Sequence, residues 1–515
     1  MLRKLRIALA LIFFVLITGL FLDFTGTLQP WFGWMAKVQL LPAVLALNVV
    51  VVVSLIIVTL VFGRLYCSII CPLGVFQDVI SWISGRRKKA MRYRFRYDRE
   101  HKWLRWAVLT VFIVLMIAGV SSVATLVAPY SAYGRIAQSL LSPVYIGVNN
   151  MLAAIAEHAG SYAFYERDVW IRSVAVMVVA AVTLVVIVVM AWTGGRNYCN
   201  MICPVGTVLG YLAKFSLLKP HIDTRRCVNC RLCERRCKAS CIDSANHKID
   251  YSRCVTCFDC IAECRHGAVK YALRNRQTAS PVVENNVPAD IDVKEKTASH
   301  ADERLQKGRR GFLIGTGLLV ASAALRAEEK QVDGGVAAIL DKKVPERKTP
   351  MAPPGALSLN NLASHCTGCQ LCVAVCPNDV LRPSGGIASL MQPEASYERG
   401  YCRPECVKCS EVCPTGAIIK IDRALKSSIQ IGHAVWIKAN CIPLTDGVEC
   451  GNCARHCPTG AIMMVENKAS GDEHKLHIPV VNVERCIGCG ACENLCPARP
   501  FSAIYVEGHE VHRTI

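Results

Sequence analysis

Cys227-Val228-Asn229-Cys230-Arg231-Leu232-Cys233-Glu234-Arg235-Arg236-Cys237 reads C-x₂-C-x₂-C-x₃-C. Three cysteines two residues apart on a tight loop aim their thiolates at three corners of one [4Fe–4S] cubane, and the fourth corner must be filled from elsewhere in the chain. Of the 29 cysteines in 515 residues, 24 fall into six groups of four. The other five groups are Cys254, Cys257, Cys260, Cys264; Cys366, Cys369, Cys372, Cys376; Cys402, Cys406, Cys409, Cys413; Cys441, Cys450, Cys453, Cys457; and Cys486, Cys489, Cys492, Cys496. They predict six [4Fe–4S] clusters, which on one chain imply an electron wire. A disulfide framework is disfavoured by the odd cysteine count, the chain length and the regular spacing. Structural zinc rarely asks for a third and fourth cysteine at these offsets.

Residues 221–272, which hold the first two groups, resemble a two-cluster bacterial ferredoxin. In such ferredoxins the last cysteine of each run ligates the other cluster. The resemblance therefore assigns Cys264 to the cluster of Cys227, Cys230 and Cys233, and Cys237 to that of Cys254, Cys257 and Cys260. Lys238 and Arg265 stand where proline usually follows the fourth cysteine, a departure that alters packing and not ligation. Cys241 lies four residues past Cys237; the regular three-residue gap favours Cys237 as the ligand and leaves Cys241 as a buried core residue.

The formal charge of +20 would ordinarily suggest nucleic acid or an anionic surface. That count treats cysteine as neutral, whereas an oxidised cubane with four thiolates carries about −2. Nucleic-acid binding is not expected, and much of the remaining excess lies beside apolar segments. Four stretches, 7–22, 38–62, 106–128 and 173–192, read as membrane helices, and all but the first reach the roughly 20 residues that cross a hydrocarbon core. Arg3, Lys4 and Arg6 precede the first, while Arg86, Arg87, Lys88, Lys89, Arg92, Arg94, Arg96, Arg99 and Lys102 separate the second from the third. Basic loops stay inside, so the sequence predicts a four-helix membrane domain over 1–215 with both ends cytoplasmic and segments 23–37 and 129–172 outside.

Gly63-Arg64-Leu65-Tyr66-Cys67-Ser68-Ile69-Ile70-Cys71-Pro72-Leu73-Gly74 matches Gly195-Arg196-Asn197-Tyr198-Cys199-Asn200-Met201-Ile202-Cys203-Pro204-Val205-Gly206 at eight of twelve positions. A helical hairpin is duplicated. Cysteines four apart share a helix face, so Cys67, Cys71, Cys199 and Cys203 are candidates to converge at the cytoplasmic boundary. A metal or cluster site, a redox dithiol and a packed helix end all fit the pattern. Arg64 and Arg196 read most simply as lipid-headgroup anchors, with the offsetting of thiolate charge as the other reading.

Residues 273–308 have linker composition. Lys307-Gly308-Arg309-Arg310-Gly311-Phe312-Leu313 and the apolar run to Leu325 make 309–327 either a twin-arginine export signal, the route for domains that fold around a cofactor before crossing, or a short fifth helix. Either sends the following residues outward. Residues 345–354 read as a second linker, and 357–515 as an outer domain with four cysteine groups, each ending in Cys-Pro. Two groups depart from the simple spacing, with three residues between Cys402 and Cys406 and eight between Cys441 and Cys450. Thr415-Gly416-Ala417-Ile418 and Thr459-Gly460-Ala461-Ile462 are expected to form turns that lead into strands.

With these motifs, 1–272 resembles the NapH and MauN membrane ferredoxin-type components of quinol dehydrogenases, and 305–515 resembles their partners NapG and MauM. The departure is the fusion of two components into one chain. The resemblance implies an α-helical membrane bundle, with a fifth short anchor or signal helix, carrying two α+β ferredoxin-like domains, cytoplasmic at 221–272 and periplasmic at 357–515. It implies an inner-membrane protein that takes electrons from quinone and passes them to a periplasmic oxidoreductase or c-type cytochrome, in a nitrate-reductase or methylamine-dehydrogenase type of system. By analogy with four-cluster subunits, Cys376 and Cys496 would exchange ligation, and so would Cys413 and Cys457. His158, Glu166 and Asp168 in the outer loop are candidates to handle quinol protons, although exposed loop polarity explains them equally well. Two other readings are a maturation factor that handles metal, as C-x₃-C-P proteins of copper-oxidase assembly do, and a redox-sensing regulator.

Overall fold

The computed structural model describes residues 1–86, 95–273, 340–386, 389–467 and 476–515. The 309–327 segment with Arg309 and Arg310, and all of the first linker past Leu273, lie outside the described residues.

Among the described residues, three helices are long and apolar enough to cross a membrane: α1 (Leu2–Leu22), α6 (Pro129–His158) and α7 (Val174–Gly194). The 21 residues of α1 amount to about 30 Å of helix. Two of the four expected spans are therefore present at nearly their predicted bounds, and two are not continuous. The 38–62 stretch splits into Leu40–Leu45 and α2 (Val49–Phe62). The break falls where Leu47 takes φ 51° and Asn48 caps the next helix, its side chain accepting from Val51 N, as a short polar side chain at that position favours. The 106–128 stretch becomes α5 (Lys102–Ile117), ending before Gly119 at φ 77°. In compensation, 129–172 is not an outer loop throughout, because its first half is α6. Its amphipathic residues, Tyr130, Tyr133 and Arg135, turn inward and are buried.

The duplicated segments fold alike. Long helices α2 and α7 end at Gly63 (φ 76°) and Gly195 (φ 67°). Each is followed by a one-turn helix, α3 (Leu65–Ile69) or α8 (Asn197–Met201), and then a second helix opening at the Cys-Pro proline, α4 (Pro72–Arg86) or α9 (Pro204–Ala213). Proline at the first helical position has no N–H to leave unpaired.

In the first cysteine-rich domain β1 (Leu218–Ile222) pairs antiparallel with β4 (Val269–Leu273), register Leu218↔Leu273 to Ile222↔Val269, and the short hairpin β2 (Ile242–Asp243) with β3 (Lys248–Ile249) lies between them in sequence. In the second, β5 (Leu381–Pro383) pairs with β6 (Pro393–Ala395), β8 (Ile462–Glu466) with β9 (His477–Val481), and β7 (Ile429–Trp436) with β10 (Ile504–Thr514) around a bulge after Gly508. Ile462 does open the strand expected after Thr459, whereas 415–418 form bends with no strand. The expected linker 345–354 is part of this domain. Met351 and Ala352 are buried, Ala395 N donates to Met351 O at 2.8 Å, and Arg347 reaches the buried Glu493 at 2.5 Å. A guanidinium and a carboxylate stripped of water need each other, which pins the segment down.

The two domains meet opposite ends of the same helices. At the start of α1, Arg3 pairs with Asp259 at 2.8 Å; near its other end, Phe21 lies against Gly134 of α6, which also faces the Cys369 carbonyl so closely that a Cβ on Gly134 would overlap both. Helix α7 repeats the pattern. Arg196 N, just past its end, donates to Lys238 O at 2.8 Å, while Arg172, just before its start, donates to Val373 O and pairs with Asp379 at 2.9 Å.

Candidate functional site

The structure sorts the cysteines into quartets. One cavity is lined by Cys227, Cys230, Cys233 and Cys264, and another by Cys254, Cys257, Cys260 and Cys237, so the fourth cysteine crosses between runs as the two-cluster resemblance implies. In the C-terminal domain, Cys496 joins Cys441, Cys450 and Cys453 around one cavity, and Cys457 joins Cys486, Cys489 and Cys492 around another. Cys413 acts electrostatically on Cys366, Cys369 and Cys372, and Cys376 on Cys402 and Cys409. The crossing thus joins the first group with the second and the third with the fourth, which corrects the expected first-with-fourth pairing. The physical reason is local: the one-turn helices that follow neighbouring cysteine loops pack on each other, so each run's last thiol points at the next cavity.

Among the described residues no three His, Cys, Asp or Glu side chains close on a single metal ion. A cubane spreads its four thiolates over four irons. The lining also fits, being thiols and apolar side chains such as Ile222, Ile249, Phe258 and Ile504. Burial pushes the Cys233, Cys369 and Cys453 thiols up to about 11. Metal-free they are protonated at neutral pH, so loading a cluster releases protons. Backbone N–H groups already point at sulfur: Gly368 N to Cys366 Sγ (3.4 Å), Ile418 N to Cys413 (3.4 Å), Ala461 N to Cys457 (3.2 Å) and Ala503 N to Cys496 (3.3 Å).

Cys241 is buried as expected, and it also lines the cavity of Cys237, its Sγ 3.5 Å from that of Cys237. Its hydrogen bond holds the Cys237 thiol down at about 7.

The four cysteines of the duplicated hairpins are all buried and lie within electrostatic reach of one another. Arg64 and Arg196 do not anchor lipid headgroups. Both are fully buried, and each crosses to the other repeat: Arg196 Nη1 donates to Cys67 O at 2.6 Å and Arg64 Nη2 to Cys199 O at 3.4 Å. Gly74 and Gly206 are required by that crossing, since a Cβ on either would overlap the same carbonyl. Gln77 Nε2 donates to Cys199 Sγ at 3.2 Å. Asp78 gathers Arg196 (2.7 Å), Arg6 (2.8 Å) and Lys238 (3.3 Å), tying α1, both repeats and the first cysteine-rich domain together. Gln77 and Asp78 escaped the sequence reading; a lone carboxylate inside the apolar α4 was the available signal.

Of the loop residues, His158 ends α6 and Asp168 faces Arg399 at 3.6 Å while remaining exposed. Glu166 is exposed in the same loop.

Family models for 4Fe–4S dicluster domains match 250–380, 365–442 and 448–499, and one for a 4Fe–4S binding domain matches 44–90 and 176–223. The ferredoxin-type protein NapG of Escherichia coli is 31% identical over 156 residues, 28% of this chain and 65% of NapG; the chain thus spans just under two thirds of that relative. The methylamine utilization ferredoxin-type protein MauM of Methylophilus methylotrophus is 31% identical over 166 residues, 31% of this chain and 71% of MauM. The ferredoxin-type protein NapF of Escherichia coli is 28% identical over 183 residues, 35% of this chain and 99% of NapF. No solved structure matches the chain.

Proposed function

The chain belongs to the family of ferredoxin-type iron–sulfur proteins that includes MauM, and from that premise we propose that it is the membrane conduit of a quinol dehydrogenase. On this reading it takes electrons from the quinone pool and passes them through six [4Fe–4S] clusters to a periplasmic enzyme of the nitrate-reductase or methylamine-dehydrogenase kind, directly or through a c-type cytochrome. The observation that carries the proposal is the placing of two cysteine-rich domains at opposite ends of helices long enough to cross a bilayer. Residues 221–272 are assigned to the cytoplasm and 343–515 to the periplasm of a bacterial inner membrane, in accord with the basic loops.

Each quartet would hold one cubane, which supplies a one-electron carrier when bound. The chain's own residues fix its surroundings. Crossed ligation makes each pair of groups one rigid unit, and the N–H groups aimed at Sγ favour the more negative, reduced state. The order of carriers is set by packing: the first outer group faces the membrane helices through Cys369, the second shares its fourth ligands with the first, and Cys402 N donates to Cys489 O at 2.9 Å, joining the second to the fourth. The third group, with Cys450 and Cys453 partly exposed, is the exit toward a partner.

Protein purified anaerobically is expected to carry about 24 iron atoms with EPR signals of interacting [4Fe–4S] centres, four iron for each of six quartets; a plateau near eight or sixteen refutes the count. Protease added to spheroplasts is expected to digest 343–515 and spare 221–272, and Arg309→Lys with Arg310→Lys to retain the outer domain inside. Protection of the outer domain in the parent would refute the orientation.

A further inference from the structure

We propose that Cys241 is an exchangeable fifth ligand of the cubane of Cys254, Cys257 and Cys260, able to take the iron corner held by Cys237; the proposal rests on the iron–sulfur reading of that quartet. The cavity is lined by five thiols, those of Cys237, Cys241, Cys254, Cys257 and Cys260. The other three cysteine-lined cavities described above have four each. A cubane has four irons to ligate, so one thiol is in surplus.

The cysteine runs, laid against one another, show how it comes to be there. Past the fourth cysteine of four runs the chain makes the same tight turn. Ser240, Gly267, Asp379 and Gly460 each stand three residues beyond that cysteine at positive φ (49°, 62°, 51° and 61°), and their N–H groups donate back to the carbonyls of Cys237, Cys264, Cys376 and Cys457. The turn directs the next residue inward, so Cys241, Ala268, Val380 and Ala461 are all no more than 2% exposed. Ala268 lines the cavity of Cys264 as Cys241 lines that of Cys237. Three of these equivalent positions hold a side chain that can only pack. The first run holds a thiol there, on a turn whose left-handed residue is a serine, which unlike glycine adopts that conformation at a cost.

A buried cysteine is often no more than a small apolar residue, but this one touches the ligands. Cys241 Sγ is 3.5 Å from Cys237 Sγ and also hydrogen-bonds the Cys254 side chain. The backbone around both exchanging thiols is fixed: Arg196 N donates to Lys238 O at 2.8 Å, Asn200 Nδ2 to Ala239 O at 3.2 Å and Asp250 N to Cys241 O at 2.8 Å. Exchange therefore needs side-chain rotation between staggered wells and no movement of the loop. In that step the iron bond to Cys237 Sγ breaks and one to Cys241 Sγ forms, while the Cys241 thiol proton passes to the Cys237 sulfur along the 3.5 Å contact. No electron moves, and the charge of the site is unchanged. This is the cubane beside the helices, where Arg64 donates to Ser252 O two residues before Cys254. Two interchangeable fourth ligands keep it closed when one thiolate is lost.

The test measures iron and acid-labile sulfide per chain, with EPR, in the full-length parent, Cys237→Ala, Cys241→Ala, the double variant of both, and Cys264→Ala, all purified anaerobically in detergent. The single changes at 237 and 241 are expected to keep the parent iron. The double variant should lose iron, about one atom per chain if only the bare corner empties and about four if the cubane goes. Cys264→Ala, whose cavity has Ala268 and no fifth thiol, should lose as much. Cys237→Ala as depleted as the double variant overturns the proposal and leaves the quartet standing; so does a loss in Cys241→Ala, since Cys237 then fails to hold the corner alone. Parent iron in the double variant overturns the cubane reading of this cavity and the proposal with it. Should the alanine variants fail to accumulate, Cys237→Ser and Cys264→Ser decide, because serine keeps an oxygen where the sulfur was. Parent-like EPR is expected in the first and one altered signal in the second; no difference between the two overturns the proposal.

Discussion

Asp78→Asn is expected to be among the most damaging substitutions that touch no cysteine. The carboxylate is shared by Arg6 of α1, Arg196 of the second repeat and Lys238 of the first ferredoxin domain, and Arg6 and Arg196 are buried beside it. An amide of the same shape keeps the packing but leaves three cations around a neutral group. Removing one partner of a buried ion pair costs about 3–5 kcal/mol, because the remaining charge has lost its water as well as its counter-ion. Thermal unfolding in detergent should show a lowered midpoint, and limited proteolysis should attack the 221–272 domain sooner than in the parent, since Lys238 is one of its ties to the helices. Lys238→Met removes the most distant of the three contacts together with the Lys238–Asp259 pair at 3.0 Å, and because Asp78 keeps two guanidinium partners it should cost less than Asp78→Asn. An Asp78→Asn protein as stable as the parent would show that the three cations do not rely on this carboxylate.

Gly490→Ala is expected to cost the C-terminal domain the iron of one quartet. Gly490 sits between Cys489 and Cys492 at φ 78°, where an L side chain is strained by about 1–3 kcal/mol. A Cβ there would also overlap the ring of Tyr397, a fully buried residue whose hydroxyl donates to Gly488 O at 2.7 Å. Overpacking adds a further 1–3 kcal/mol or so. Arg347 lies over the ring, 5.7 Å from its centroid, and the ring is fully buried, so it has little room to move. The loop of Cys486, Cys489 and Cys492 must open instead, with a loss of about four iron per chain. Tyr397→Leu placed in the same chain removes the obstructing ring and should restore part of that iron. Full iron in Gly490→Ala would mean the loop tolerates the Cβ by shifting as a body.

The cysteine chemistry was legible because it is local. Cysteines at short offsets on a tight loop suit a cubane, and the crossing of Cys237 and Cys264, implied by the resemblance to two-cluster ferredoxins, agrees with the cavities these thiols line. The C-x₃-C-P duplication was equally plain, since it needs only the comparison of one segment with another. Membrane spans were less so: apolar content marked 38–62 and 106–128 as continuous, but Asn48 and Gly119 end helices by capping and by positive φ, effects that a hydropathy sum does not contain. Helix α6 was hidden because 129–172 read as an outer segment, yet the bundle buries its Tyr130, Tyr133 and Arg135.

Sequence by itself thus determined the ligand type, the grouping of thiols, the repeat and the existence of two ferredoxin domains, all of which depend on residues close together in the chain. Only the tertiary structure decided which outer groups exchange their fourth cysteine, that Arg64 and Arg196 lie inside the protein instead of at the lipid surface, and that Asp78 joins elements as distant in sequence as Arg6 and Lys238. Each of these is a choice among partners of equal chemistry, and it is the packing of one-turn helices and glycine-thin crossings that brings one partner within reach while water is excluded from the rest.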